Sequence, residues 1–131
     1  GITPDVYIPF KSSINSETGK IVRNPKRPIF NFASQFASQE KDQFDTFLNF
    51  KKNWFVTDDL FNSFLKELDK DSLVVNLDSI SLDDNYIRNT IKSEIAGSIW
   101  GKDEAANIRL QLDNQVIEAL KHFNEADAFL D

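Results

Sequence analysis

The sequence predicts a mainly α-helical protein: a small bundle of four to six helices preceded by an extended N-terminal arm, which could include β structure. All four prolines lie within the first 28 residues, and proline lacks a backbone donor, so this segment is not expected to form a long helix. From Pro28 onward, apolar residues recur at the three- and four-residue spacing of helices. We therefore divide the chain into an arm, residues 1–28, and a helical C-terminal domain, residues 29–131.

The arm carries two short patterns. The range from Pro4 to Pro9 is typical of a short β or polyproline stretch. Ile14 and Val22 flank a polar stretch, residues 15–19, that predicts a turn or a loose hairpin. The first 28 residues include five basic and two acidic residues, whereas the remainder has ten basic and nineteen acidic residues. This opposite charge supports a division of the chain at this point.

Helices of the C-terminal domain are predicted from apolar periodicity and from residues that begin or end helices. Pro28 suits a first helical turn, where its missing donor costs nothing, and Thr57 is a predicted N-cap. Ser81 predicts a further helix start, and Gly101 suits the left-handed position after a helix. The run Leu73–Val75 is compatible with either a strand or a packed loop. The predicted apolar stripes are Ile29, Phe32, Ala33, Phe36 and Ala37; Phe44, Phe47 and Leu48; Leu60, Phe61, Phe64, Leu65 and Leu68; Ile87, Ile91, Ile95 and Ile99; and Val116, Ile117, Leu120 and Phe123.

Phenylalanine is frequent, with 12 residues, of which nine lie between Phe30 and Phe64. Aromatic side chains bury a large area each, so a phenylalanine-rich core is the favoured interpretation. One helix cannot bury Phe44, Phe47 and Phe50 equally, however. A minority of these rings is therefore expected to face a missing domain or a partner.

The sequence offers few groups for catalysis or metal binding. The chain has no cysteine, and His122 is its only histidine, so a Ser–His–Asp triad or a zinc site would have to depend on that residue. The four glycines do not cluster as a phosphate-binding loop requires. Asp69, Asp71 and Asp78 lack the accompanying glycine and glutamate of an EF-hand calcium loop. We therefore expect no catalytic, cofactor-binding or metal-binding residue in this chain.

Charge and hydropathy narrow the range of partners. The net charge is −6, whereas nucleic-acid binding needs a positive surface, so we expect no nucleic-acid partner. The basic residues Arg23, Lys26 and Arg27 are expected to pair with acidic groups of a neighbouring surface. No run of about 18 apolar residues exists, so we expect no transmembrane segment in this chain. The chain contains no methionine and begins at Gly1 inside structured sequence, which predicts an excised fragment.

Four stretches carry a resemblance to one protein family. Residues 1–9, Gly-Ile-Thr-Pro-Asp-Val-Tyr-Ile-Pro, resemble the "GGGITPDVxVP" element that closes the core of bacterial carboxyl-terminal processing proteases, the tail-specific serine proteases. Residues 50–60 are similar to the "FKKNFxVSDELL" segment found after that core, especially in Bacteroidetes members. Residues 91–101 resemble "IKxxIAxxxWG", and residues 113–120 resemble the closing "DPxVQKALE" helix. The stretches occur in the family's order, and the chain departs from the family pattern at residues 10–13.

The resemblance implies that this chain is the non-catalytic C-terminal accessory domain of an exported protease. The family's catalytic serine and lysine, and its peptide-binding PDZ module, would precede this chain, so no catalytic residue is carried over. The parent protein would be a serine endopeptidase of the periplasm or cell envelope. The domain would support or gate the absent protease core, or mediate contact in a homo-oligomer. The expected contact residues are Val6, Tyr7, Ile8, Phe50 and Trp54.

Two other interpretations fit the sequence less well. A stand-alone helical protein–protein interaction module would display a phenylalanine groove to a partner helix or peptide, but the opening motif speaks against it. A hydrolase would need paired carboxylates such as Asp83 and Asp84. Adjacent residues point in different directions on a helix, so this pair is poorly placed for shared chemistry.

Overall fold

The computed structural model describes residues 14–111, and within this range every regular element is a helix. The mainly helical fold class predicted from the sequence is therefore confirmed. No helix of this range is long and apolar enough to cross a lipid bilayer. The elements are α1 (Ser16–Val22), α2 (Pro28–Glu40), a 3₁₀ turn (Lys41–Gln43), α3 (Phe47–Asn53), α4 (Asp58–Lys70), α5 (Leu77–Ser81), α6 (Asp84–Ile99) and α7, which begins at residue 102.

Helices α2 and α6 form the centre of the fold, because they pack against each other more extensively than any other described pair. Small residues permit this close approach: Ala33 and Ala37 of α2 and Ala96 of α6 are all buried. Close packing of this kind excludes water and gains dispersion contacts throughout the core. The larger buried apolar side chains are Ile21, Ile29, Phe50, Val56, Phe61, Phe64, Leu68, Ile80, Ile87, Ile91, Ile95 and Ile108.

Three predicted helix starts or ends are confirmed. Pro28 is the first residue of α2. Thr57 caps α4, because its hydroxyl oxygen accepts a hydrogen bond from the Leu60 amide at 3.1 Å. Gly101 follows α6 with a φ of 123°, a conformation that residues with a Cβ rarely adopt. The predicted start of α6 at Ser81 is wrong. Ser81 is instead the last residue of the short α5, and Asp83 holds the N-cap position of α6.

The structure also differs from the sequence-based prediction at residues 16–22, where α1 replaces the expected turn or loose hairpin. Asn15 caps this helix, since its side chain accepts a hydrogen bond from the Thr18 amide. Pro25 lies beyond the end of α1, so its ring does not interrupt the helix. Ile21 is buried in the same core as the later helices. The described part of the predicted arm is therefore folded against the helical domain, and the Pro4–Pro9 motif lies outside the described residues.

Candidate functional site

An apolar groove lies between the C-terminal half of α4 and the start of α5, and we call it the α4–α5 groove. Its volume is about 520 Å³. Two of its lining residues are open to solvent, Val74 at 81% and Leu77 at 59% exposure. Large apolar side chains grouped at the surface are typical of contact sites for other proteins. The lining residues are Leu65, Lys66, Leu68, Asp69, Lys70, Leu73, Val74, Val75 and Leu77.

The end of α4 positions one wall of this groove. Ser72 adopts a left-handed φ of 62°, and its amide donates to the Asp69 carbonyl at 3.0 Å. The Leu73 amide donates to the Leu68 carbonyl at 3.0 Å, which completes a Schellman motif. This ending turns the following residues out of the helix. The run Leu73–Val75, for which the sequence left strand and loop open, is therefore a loop along the groove.

The first residues that the structure describes pack beside the groove. The Asn76 amide, at the N-cap of α5, donates to the Glu17 carboxylate at 2.7 Å. The Asn15 side chain donates to the Ser79 carbonyl at 2.5 Å. These bonds hold the start of α1 against α5, whose first residue lines the groove.

Asp83, at the N-cap of α6, also holds the start of α1 in place. Its carboxylate accepts hydrogen bonds from the Thr18 hydroxyl at 2.6 Å and from the backbone amide of Asn15 at 2.9 Å. Thr18 is fully buried, so it depends on this acceptor. The neighbouring Asp84 instead bonds Arg88 at 2.9 Å. The two carboxylates considered as a hydrolytic pair thus have separate structural partners.

The structure places the predicted contact residues Phe50 and Trp54 in one aromatic cluster. Phe50 is 2% exposed, and its ring stacks on that of Trp54 with 5.1 Å between centroids. The rings of Phe44 and Trp100 both lie 5.2 Å from Phe50. Phe50 is therefore part of the protein's own core, whereas Trp54 is only partly buried, and the contact of either residue with a partner stays a prediction. The predicted contacts at residues 6–8 lie outside the described residues.

A second, polar cleft of about 310 Å³ lies at α6, and we call it the Lys92 cleft. Lys92 is only 5% exposed, and its Nζ donates to the Lys51 carbonyl at 2.8 Å. The same Nζ lies 4.6 Å from the ring centroid of Phe55. Burial lowers the pKa of Lys92 to about 8, and the charge of Lys51 acts in the same direction. The residues lining the cleft are Phe55, Val56, Asn85, Arg88, Asn89, Lys92 and Gln111.

This lysine predicts a specific pH dependence of stability. Its pKa of about 8 in the folded state lies below the value of about 10.4 expected in the unfolded chain, so between these values the unfolded state binds more protons. The free energy of unfolding should therefore rise by about 2 kcal/mol between about pH 7 and about pH 9.5. Urea denaturation of wild type and Lys92→Met measures the difference, and the exposed Lys52→Met serves as control. Parallel curves for wild type and Lys92→Met would contradict the burial of this charge.

Sequence reasoning missed both sites. The groove depends on how α4 ends, and the apolar run Leu73–Val75 was the only feature of the sequence that indicated it. Lys92 lies four residues after Arg88 and four before the buried Ala96, in a row beside the isoleucine stripe. This spacing was the feature of the sequence that could have placed Lys92 at the edge of the buried face of α6. Within the described range, no group of three or more His, Asp or Glu side chains is placed to hold a metal ion.

These features define a small helical domain with an exposed apolar groove and a buried lysine. The chain belongs to a family of unknown function (DUF8443), whose model matches residues 22–101. The match includes the groove and Lys92 and begins at the last residue of α1. No curated protein and no solved structure matches the chain. The family description names no activity, so the resemblance to carboxyl-terminal processing proteases stays a prediction.

Proposed function

We propose that this chain is a non-catalytic accessory domain that packs, through the α4–α5 groove, against the core of a carboxyl-terminal processing serine protease in the same polypeptide. The observation that carries the proposal is that Asn15 and Glu17, among the first described residues, bond to α5 beside the groove. Residues 1–9 resemble the element that closes such a core. A segment of thirteen residues spans at most about 45 Å. A core that includes residues 1–9 would therefore lie within that distance of the start of α1.

The way in which α1 is attached favours support of the core over gating. Gating needs an element that moves easily between two positions. The start of α1 is instead bonded to both α5 and α6, and Thr18 is fully buried at that junction. A start of α1 that is held at two helices is suited to a fixed support rather than to a moving gate. The proposed location, the periplasm or cell envelope, follows from the resemblance alone.

Leu77→Asp tests the proposed docking surface, and Leu110→Asp is its matched control because both leucines are 59% exposed. Leu110 lies on α7 and does not line the groove. In the complete polypeptide, Leu77→Asp should weaken packing on the core by at least about 2 kcal/mol, since it places an unpaired charge in an apolar contact. Peptidase activity and the thermal unfolding of the core should fall, whereas Leu110→Asp should change neither.

Two results would count against this function. The coding sequence upstream of residue 1 should specify a PDZ module and a core with catalytic serine and lysine, and any other upstream domain contradicts the proposal. Sedimentation of the isolated chain provides the second check. If the chain dimerises and Leu77→Asp makes it monomeric, the groove is an oligomer contact of a stand-alone interaction module.

A further inference from the structure

The Lys92 cleft contains one positive charge that no described carboxylate compensates. Arg88, one turn earlier on α6, is compensated, because its guanidinium donates to Asp84 at 2.9 Å and to Asp58 at 2.8 Å. Its third bond goes to the Val56 carbonyl at 2.9 Å. Lys92 forms no salt bridge with any residue of the described range. A buried charge without a counter-ion is costly, so this position favours an incoming anion.

The ammonium group of Lys92 retains the capacity to bind an anion. Lysine carries three donors, and the Lys51 carbonyl takes one of them at 2.8 Å. The faces of Phe50 and Phe55, at 5.6 Å and 4.6 Å from Nζ, attract the cation but accept no conventional hydrogen bond. Two donors of Lys92 are therefore left for an oxygen ligand.

We propose that the Lys92 cleft binds a carboxylate, and that the acid's apolar body rests on the exposed ring of Phe55. Phe55 lines the cleft and is 63% exposed, so its ring is accessible. The side chains of Asn85, Asn89 and Gln111 line the same cleft and supply amide donors and acceptors. Small-molecule sites combine an apolar wall with a few polar groups in this way. The inference does not depend on the proposed accessory function.

The charge balance selects a monoanion. Arg88 is matched by two aspartates, so Lys92 is the only uncompensated cation among the residues that line the cleft. Lys51, whose carbonyl Lys92 bonds, lies outside this lining. A phosphate carries more negative charge than one lysine balances, and phosphate sites usually add several backbone amides. The cleft volume of about 310 Å³ lies at the small end of ligand pockets and suits an acid of modest size.

The test is an NMR titration of the wild-type chain with benzoate, with neutral benzamide as the matched control and inorganic phosphate as the competing anion. Benzoate should shift the resonances of Phe55, Arg88 and Lys92 with saturation, whereas benzamide and phosphate should not. Lys92→Met should weaken benzoate binding by about tenfold or more, because a charge-assisted bond is lost, and Lys52→Met should not. The wild-type comparison remains valid even if Lys92→Met fails to fold.

The carboxylate could come from a free acid or from an acidic side chain of a partner protein, and N-acetylglutamate α-amide distinguishes them. Tighter binding of this glutamate derivative than of benzoate supports a protein side chain, and the reverse order supports a free aromatic acid. Equal, non-saturating shifts with benzoate and benzamide would overturn the proposal. Shifts spread over the exposed lysines, or tighter binding of phosphate than of either carboxylate, would overturn it as well.

Discussion

Replacing Phe50 with alanine is expected to lower the free energy of unfolding by about 3–5 kcal/mol. The ring is 2% exposed and contacts the rings of Phe44, Trp54 and Trp100 at centroid distances of 5.2, 5.1 and 5.2 Å. Its removal leaves a cavity among side chains that also position α3 against α6. Urea denaturation followed by circular dichroism measures the loss, and the fluorescence of Trp54 and Trp100 reports the cluster directly.

Leu48→Ala is the control for this substitution, because Leu48 lies on the same helix but is 57% exposed. Leu48→Ala should lower the free energy of unfolding by no more than about 0.5 kcal/mol, as is usual for exposed positions. If Phe50→Ala were equally mild, the aromatic cluster would not be part of the core.

Asp83→Ala is expected to lower the free energy of unfolding by about 2–3 kcal/mol. The carboxylate is the acceptor for the fully buried Thr18 hydroxyl and for the Asn15 amide. Both donors would be left without this partner, and α1 would lose its hold on α6. Hydrogen exchange should show faster exchange in residues 16–22 at denaturant concentrations that leave α2 and α6 protected.

A double-mutant cycle with Thr18→Val isolates this contact. The two substitutions should be non-additive by about 1 kcal/mol or more, since each removes one side of the same hydrogen bond. Asp69→Ala is the control, because Asp69 is exposed in the last turn of α4, and it should not lower the free energy of unfolding. Strict additivity of Thr18→Val and Asp83→Ala would show that the bond does not stabilise the junction.

Local sequence signals predicted those elements that local interactions determine. The proline at the start of α2, the Thr57 cap and Gly101 each act within a few residues, and all three lie where the sequence placed them. Helix α1 was missed because it is short and is held by a bond between residues 65 positions apart, Thr18 and Asp83. No periodic pattern reveals such a partner, and the prolines nearby favoured an extended segment.

The two candidate sites illustrate the same limit. The burial of Lys92 depends on the Lys51 carbonyl, 41 residues earlier, and a charged residue on a helix is ordinarily expected to be solvated. The α4–α5 groove depends on a left-handed serine at the end of α4, where glycine is the usual signal. Both sites become visible only when distant segments are placed together in three dimensions.

Hydrogen exchange at residues 65–77 tests the central claim, that the groove packs against a preceding protease core. The comparison is between the isolated chain and the complete polypeptide that contains it. We expect the amides of residues 73–77 to exchange more slowly in the complete polypeptide, while those of α7 near Leu110 exchange equally in both. Equal exchange at residues 73–77 in the two proteins would contradict the account.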